Sequence, residues 1–395
     1  MNAMVRSFWI LFFTALLAAP ALAADQSISG FVRDASGAFV PGARVSATHA
    51  GTGMVREALT DDRGYYLLAV LPIGRYEFQV SLEGFQPVTV RGIVLEVGDN
   101  KNYSVVLEVS ALSAAVEVKA EADQVELTTS QLDMVINGIQ ITDLPLNGRN
   151  PLELVFLSPG VVRMWGWIPS ANGTRTRGNN YMVDGMDNNW FVNIGEMSDP
   201  SVDATAEFRV VTSNPSAEYG RAGGAVNDVV TRSGTNDFHG NAYWFLRDDS
   251  MDAKTWRENY FNQPKGDFRR RQFGGSLGGP IVRDKLFFFF NTEWGQERKN
   301  VTATALVPTQ AYRDTVTNPD IARIFAQYYP LPNTDVSTIP GINGQHAFSG
   351  TAPFEELQLL VKADWLPSPA HTLSARFYMD PLSKNTMPAL PSYDL

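Results

Sequence analysis

The hydrophobic pattern of the last part of the chain alternates with a period of two residues. Apolar side chains take every second position, and polar ones largely fill the positions between them, in the segments 286–294, 357–365 and 372–379. Such alternation predicts β-strands with one apolar and one polar face, as in strands that cross a membrane. We expect about five strands between Phe238 and Asp380, separated by loops such as 301–351.

Residues 24–110 predict a second β-rich region, made of shorter strands. Turn signals such as Ser36-Gly37 and Leu71-Pro-Ile-Gly74 interrupt the apolar pattern at short intervals. About six or seven short strands separated by such turns indicate an all-β sandwich. The strands are expected at 29–34, 40–47, 65–70, 76–82, 88–94 and 103–109.

Residues 130–235 have a mixed pattern that predicts a compact α/β domain. A turn at 144–150 (LPLNGRN) precedes a short apolar helix at 152–157, and a Gly/Asn-rich loop at 172–180 precedes a strand and turn. The Asn147-Gly148 dipeptide is typical of turns that need positive φ. We expect the neighbouring Arg149 to pair with a carboxylate such as Asp184 or Asp187.

The first 23 residues have the pattern of a secretory signal peptide. A basic start (Arg6) is followed by an apolar run from Phe8 to Leu17 and by small residues at Ala21 and Ala23. This order predicts cleavage after Ala23. The alternative is an uncleaved membrane anchor, although the apolar run is short for a span of about 20 residues.

Composition narrows the function classes. The net charge is -10 and the pI is near 5.0, which disfavours a nucleic-acid partner. The chain has no cysteine, which excludes disulfides and thiol chemistry. The one basic cluster, Arg269 to Arg271, lies in a predicted strand, and we interpret it as a solvated or lumen-facing strand face.

The residues do not indicate an enzyme, a metal site or a cofactor. The four histidines are far apart in sequence, and none has a glutamate three residues later. No G-x-S-x-G elbow occurs. Asp184, Asp187 and Asp199 do not have the spacing of a calcium-binding EF-hand loop, and a turn network is the better interpretation.

Four motifs in the middle and later parts of the chain resemble, in order, the Oar-like group of TonB-dependent outer-membrane receptors. They are NGRN (147–150), RGNNYMVDGMDNN (177–189), EYGRAGGAVNDVVTRSGTNDFHG (218–240) and RRRQFGGSLGGPI (269–281). The front region resembles the carboxypeptidase regulatory-like domain, a transthyretin-like module of the carbohydrate-binding-like fold group. Carbohydrate binding in this region is implied only by the resemblance and by no residue pattern.

The resemblance implies a mainly β chain with an N-terminal β-sandwich, an α/β plug domain (130–235) and the first strands of a transmembrane β-barrel (236–395). Because such barrels have about 22 strands, we expect the chain to be the N-terminal portion of a longer protein. Residues 111–129 would be a linker. It holds our candidate for the TonB box, Val116, Glu117 and Val118, which a periplasmic TonB-type protein would bind by β-augmentation. Alternatively, these residues form the last strand of the sandwich or the first of the plug.

The resemblance also places ligand contacts on apical loops of the plug. The candidates are the aromatic and basic residues Trp165, Trp167, Arg175, Arg177 and Trp190. The tryptophans could stack on a sugar or an aromatic ligand, and their alternative role is packing within the plug.

The predicted function is gated, energy-coupled uptake of a siderophore, oligosaccharide or peptide. The predicted location is the outer membrane of a Gram-negative bacterium, where the protein would contact the membrane lipid. Its N-terminal domain would lie in the periplasm. Two alternatives stay open: an outer-membrane adhesion or structural protein, and a surface module that binds carbohydrate.

Overall fold

The computed structural model describes most of the chain after residue 25. The described ranges are 26–109, 116–119, 130–164, 168–190, 195–220, 222–254, 256, 259, 265–333, 339–369 and 371–380, with the backbone alone for 116–119, 301–304 and 347–352. The predicted signal peptide, 1–23, lies outside them. Two compact units are present. The first comprises Met1–His239, Leu277–Phe290 and Val361–Arg376, and the second comprises Gly240–Ser276, Asn291–Leu360 and Phe377–Leu395.

The front of the first unit is a β-sandwich. Its strands are β1 (Gln26–Asp34), β2 (Arg44–His49), β3 (Val55–Leu59), β4 (Tyr65–Leu71), β5 (Gly74–Ser81), β6 (Val88–Leu95), β7 (Asn100–Asn102), β8 (Val105–Leu107) and β9 (Val116–Lys119). One sheet has the order β4-β1-β7, with β8 also paired to β1, and the other has the order β3-β2-β5-β6-β9.

Alternating side chains of both sheets fill the core of the sandwich. Ile28, Val45, Phe78 and Leu107 are fully buried there, as the period of two residues requires when one face of each strand is covered. β3 was not predicted from the sequence. Its burial pattern does not alternate cleanly, because it is an edge strand with no fully buried residue.

The middle part of the first unit combines a sheet with short helices. Its elements are β10 (Leu132–Ile136), α1 (Gly138–Asp143), a 3₁₀ helix (Pro151–Leu157), β11 (Val161–Arg163), β12 (Pro169–Ala171), a 3₁₀ turn (Thr176–Gly178), β13 (Asn180–Val183), β14 (Met186–Asp187), β15 (Thr205–Ser213), a 3₁₀ turn (Ala217–Tyr219) and β16 (Val226–Thr231). Five strands form one sheet in the order β10-β15-β16-β13-β14, and β11 pairs with β12.

Side-chain caps begin the two longest helices of this middle part. The Asn137 side chain accepts from the Gln140 N–H, and the Gln140 side chain accepts from the Asn137 N–H, which is a capping box. Asn150 accepts from the Leu152 N–H at 2.8 Å, next to Pro151 in the first turn. The predicted helix at 152–157 is therefore present, as a 3₁₀ helix.

A last sheet uses five strands that are neighbours in sequence order, β17-β18-β19-β20-β21. The elements are β17 (His239–Asp248), a 3₁₀ turn (Asp249–Met251), β18 (Phe268–Val282), β19 (Leu286–Pro308), α2 (Gln310–Arg313), α3 (Pro319–Tyr328), β20 (Asn343–Ser368) and β21 (His371–Met379). The prediction of a loop over 301–351 was wrong, because β19 and β20 extend into this range and α2 and α3 lie between them.

Within the second unit, β17, β18 and β19 expose apolar side chains and bury polar ones. Trp244, Phe273 and Trp294 are exposed, whereas Glu293 and Glu297 are buried. This arrangement is the reverse of a soluble sheet and is typical of strands whose outer face meets lipid. In the described residues, no helix is long and apolar enough to cross a membrane.

Candidate functional site

The candidate site is a cluster of charges around Asp184 in the first unit. Asp184 and Gly185 form the two-residue turn that joins β13 to β14, with φ values of 47° and 74°. Positive φ at both positions is typical of the tight hairpin turn that Asp-Gly favours. The turn places the Asp184 side chain beyond the end of β13.

Four groups contact the Asp184 carboxylate. The Thr231 N–H and hydroxyl, at the end of β16, donate to its two oxygens at 2.7 and 2.6 Å. The guanidinium of Arg376, on β21, donates to Oδ2, and Nζ of Lys362, on β20, lies 3.7 Å from the same oxygen. The side chains of Lys362 and Arg376 are only 10% and 12% exposed. A turn of the middle sheet is thus joined to two strands of the last sheet by nearly buried charges.

Both cations also contact groups beside the carboxylate. Arg376 donates to the Val183 carbonyl at 3.1 Å, and Lys362 lies 3.3 Å from the Thr231 carbonyl. Burial alone would raise the pKa of Asp184, but the two cations and the hydrogen bonds from Thr231 outweigh it, so this pKa is below its ordinary value. Asp184 is therefore ionised at neutral pH.

A second carboxyl, that of Asp228 on β16, is buried near the first. Burial raises its pKa to about 7, with a contribution from the negative charge of Asp184. Two neighbouring carboxylates do not both ionise readily away from water. The pair thus has one charge held by cations and one carboxyl that titrates near neutral pH.

A related contact joins the front sandwich to the middle sheet. The Val97 N–H, in the turn after β6, donates to the Glu207 carboxyl on β15. Burial raises the pKa of Glu207 to about 8. The next residue, Gly98, lies against Arg209, which donates to Asp133 at 2.5 Å and to Gln131 at 3.0 Å.

Arg149 pairs with a carboxylate, as we predicted. Its guanidinium donates to Asp203 at 2.5 Å, a residue of the same segment that we had not named as its partner. The positive φ of Arg149 (58°) fits the predicted tight turn at Asn147-Gly148. Asp184 instead pairs with cations from distant strands.

The predicted ligand residues are only partly described. Arg175 and Arg177 are exposed in and beside the 3₁₀ turn Thr176–Gly178. Trp190 is half-buried, and its backbone N–H donates to the Gly195 carbonyl at 3.0 Å. Trp165 and Trp167 lie outside the described residues. Within the described part, no hydrogen bond, ion pair or ring contact joins Trp190 to either arginine.

The TonB box candidate, Val116 to Val118, lies in β9. Its backbone pairs in parallel with β6, with Val116 beside Val88 and Val118 beside Val90. It is therefore the last strand of a sandwich sheet, which was one of the two alternatives from the sequence. β9 is an edge strand and has one neighbour in its sheet.

The predicted basic cluster at 269–271 is divided between two faces of β18. Arg270 donates to the buried Glu297, whereas Arg269 and Arg271 are exposed. The described residues contain no group of three or more His, Cys, Asp or Glu side chains that could hold a metal ion.

Two protein families match the chain. The family described as "Carboxypeptidase regulatory-like domain" matches residues 27–108, and the family described as "Outer membrane beta barrel domain" matches residues 230–394. The TonB-dependent transporter Oar of Myxococcus xanthus is 28% identical over 296 residues, covering 69% of this chain and 27% of that protein. The chain thus spans little more than a quarter of that relative.

Solved structures add little. Wild-type catechol 1,2-dioxygenase of Acinetobacter radioresistens matches with 17% identity and a TM-score of 0.19, over 26% of this chain and 57% of that one. The dioxygenase domain of a dioxygenase–carbohydrate-binding fusion from Streptomyces sp. SirexAA-E matches with 14% identity and a TM-score of 0.19, over 24% and 86%. Likenesses of this size carry no argument about function.

The sheets at the two ends of the described chain thus coincide with two family matches, a carboxypeptidase regulatory-like domain at residues 27–108 and an outer-membrane β-barrel domain at residues 230–394. The chain is a homologue of the TonB-dependent transporter Oar, as the four motifs predicted. This homology is to a family of transporters and not of enzymes.

Proposed function

We propose that this chain acts within a TonB-dependent outer-membrane receptor that imports a ligand, with residues 130–235 as its plug. The homology to Oar supports the class of protein. The observation that carries the proposal is the contact of Asp184 with Lys362 and Arg376. It ties a turn of the proposed plug to two strands of the region that matches the outer-membrane barrel family.

Charged contacts suit a plug that must be held and later released. Separating the partners of a buried ion pair is strongly unfavourable while the charges stay buried, so these contacts would hold the plug in its closed position. Once water enters, the separated charges are solvated again, and each contact then contributes little. An apolar seal would instead expose hydrophobic surface on every opening.

The proposed coupling segment is β9. A periplasmic TonB-type protein would add a strand to its open edge, or would replace β6 as its neighbour, because backbone hydrogen bonds supply the affinity in β-augmentation. In this proposal the front sandwich is periplasmic. A force applied to β9 would be transmitted to the sandwich and then to the plug through the contact of Val97 with Glu207.

The ligand would contact the turn that carries Arg175 and Arg177, together with Trp190 and the tryptophans at 165 and 167. Exposed arginines favour ligands with carboxylate or phosphate groups. A siderophore, an oligosaccharide and a peptide all remain within this proposal.

Ion conductance across a planar bilayer tests the proposal. Protein purified from outer membranes is compared with the Asp184→Asn variant and with the Asp187→Asn control, whose side chain lies at the exposed end of the same hairpin. We expect low conductance for the wild type and the control, and frequent openings for Asp184→Asn. Equal conductance of all three proteins would overturn the proposal that Asp184 holds a plug.

A further inference from the structure

We propose that Arg209 exchanges its carboxylate partner when β10 leaves the middle sheet, from Asp133 on β10 to Asp228 on β16. β15, which carries Arg209, lies between these two strands in the sheet. Each neighbouring strand thus offers the guanidinium one carboxyl group. The inference deepens the proposed function and rests on it in one respect, because the force that removes β10 would come from the coupling segment.

Arg209 is bound to the edge strand of the sheet. Its guanidinium donates to Asp133 at 2.5 Å and to Gln131 at 3.0 Å, and its third nitrogen lies 3.4 Å from the Tyr219 hydroxyl. Arg209 is only 4% exposed, and a buried cation that loses its carboxylate is strongly destabilising. The other four strands can therefore stay together without β10 only if Arg209 has another carboxylate to bind.

Asp228 is placed to be that second partner. It stands directly opposite Arg209 in the antiparallel pairing of β15 with β16, and directly opposed residues share a face with Cβ atoms about 5 Å apart. Asp228 is 2% exposed, and its Oδ1 has no hydrogen-bond partner within the described part of the chain. The Gly185 N–H donates to the same carboxyl. One oxygen of Asp228 is thus available to the guanidinium.

The charges around Asp228 favour its protonated form while Asp133 holds Arg209. The charged and titratable groups that face Asp228 are Asp184 in the turn between β13 and β14, Arg209 on β15, and Glu218 and Tyr219 in a 3₁₀ turn, with Lys362 and Arg376 directed to Asp184. Burial raises the pKa of Asp228 to about 7, and the charge of Asp184 adds to the rise. Once the guanidinium turns to Asp228, the carboxyl releases its proton to water and the two charges balance.

The exchange of partner would divide opening into two stages. β10 is the first strand of the middle sheet that a force passing along the chain from β9 reaches, and it is an edge strand. The new pair of Arg209 with Asp228 would hold β15 against β16, while Asp184 stays in contact with its two cations. Release of β10 would therefore precede release of the plug from the last sheet.

Amide exchange in β10 of the purified protein, in detergent micelles, tests this exchange of partner without requiring transport. Opening of β10 would release the proton of Asp228, and Asp228→Asn has no proton to release. Relative to that variant, the opening equilibrium constant of the wild type should rise roughly tenfold per pH unit between pH 5 and pH 7 and level off above about pH 8. Equal pH dependence in the two proteins would overturn the proposal.

A second test needs no opening, because Asp133→Asn deprives Arg209 of its carboxylate in the folded state. In this variant the pKa of Asp228 should fall below 3.8, so its stabilising contribution is present above that pH and is lost only below it. Adding Asp228→Asn should then lower the folding equilibrium constant by at least about tenfold, uniformly from pH 4 to pH 8.

The matched control is Asp143→Asn, which makes the same charge change at the exposed end of α1. In that background Asp228→Asn should gain stability as the pH rises, as it should in the wild type. The same gain in the Asp133→Asn background would show that Arg209 does not turn to Asp228, and would overturn the proposal. Both tests are independent of the conductance of Asp184→Asn. Failure of the conductance test would remove the role of the exchange in import and leave these two measurements unchanged.

Discussion

Arg376 donates a hydrogen bond to the carboxylate of Asp184 from a position 192 residues further along the chain. The contact depends on the Asp-Gly turn, which places Asp184 directly after the last residue of β13. It also depends on strand register, because a shift of one residue would move Arg376 to the other face of β21. Two local features thus produce one long-range charge contact.

Asp184→Asn should destabilise the middle sheet. The substitution leaves the nearly buried Lys362 and Arg376 without their shared negative charge, which should lower the free energy of unfolding by about 3 kcal/mol. Urea denaturation would measure the loss of stability, and amide exchange in β13 would show whether the loss lies in the middle sheet. The control Asp187→Asn removes a carboxylate that accepts within its own turn, and it should cost less than about 1 kcal/mol. Equal losses of stability in the two variants would mean that burial of Lys362 and Arg376 does not require the negative charge of Asp184.

Asp228→Asn should change how stability depends on pH. The pKa of Asp228 rises from 3.8 to about 7 on folding. The group therefore favours the folded state fully below pH 3.8, and this contribution is lost as the pH rises through about 7. An amide does not titrate, so the variant should gain stability relative to the wild type between pH 4 and pH 8, by at least about 1 kcal/mol.

Urea denaturation of both proteins at several pH values would measure this difference. A constant difference between wild type and variant over the whole range would contradict it. Glu207, whose pKa is raised to about 8 in the same direction, is present in both proteins and cancels in the comparison.

Gly98→Ala should separate the sandwich turn from the middle sheet. Gly98 has a φ of 78°, and an added Cβ would overlap the Arg209 guanidinium, which Asp133 and Gln131 hold in place. Gly84→Ala is the matched control, because Gly84 has a φ of 86° but open space around it. Backbone strain should lower the stability of both variants by about 1 kcal/mol. The clash with Arg209 should lower the stability of Gly98→Ala by about 1 kcal/mol more.

Amide exchange at Val97 distinguishes the two variants. It should become faster in Gly98→Ala alone, because that substitution displaces the turn whose N–H donates to Glu207. Unchanged protection of Val97 in Gly98→Ala would show that Arg209 moves aside without disturbing the contact.

The local parts of this structure were predictable, and the long-range parts were not. Turn dipeptides predicted the bends at Asn147-Gly148, and alternation predicted β19 and β21, because both depend on near neighbours. β3 was missed, since an edge strand without a buried face leaves no clear alternation. A carboxylate partner for Arg149 was predicted correctly, but Asp203 was not named, because a turn fixes where a side chain begins and not which of several carboxylates it reaches.

The site at Asp184 had visible components in the sequence. Lys362 and Arg376 stand on the polar faces of alternating strands, and Asp184 stands in an Asp-Gly turn, so each was recognisable as a charge in a structured position. No local rule pairs residues so far apart, because sheet order and register decide which of them meet. Arg269 and Arg271 are a contrasting case, because the period of two residues alone places them on one face of β18 and Arg270 on the other.

Glu117→Pro should weaken binding of a periplasmic TonB-type domain by at least about tenfold, if β9 is the coupling segment. Proline removes a backbone N–H and restricts φ, so an incoming strand loses a hydrogen bond on β9. Glu57→Pro in β3 is the matched control, because β3 is the other edge of the same five-stranded sheet. Binding would be measured with the purified partner domain by calorimetry. Loss of binding in both variants would indicate damage to the sandwich, and retention in both would place the coupling segment elsewhere in the chain.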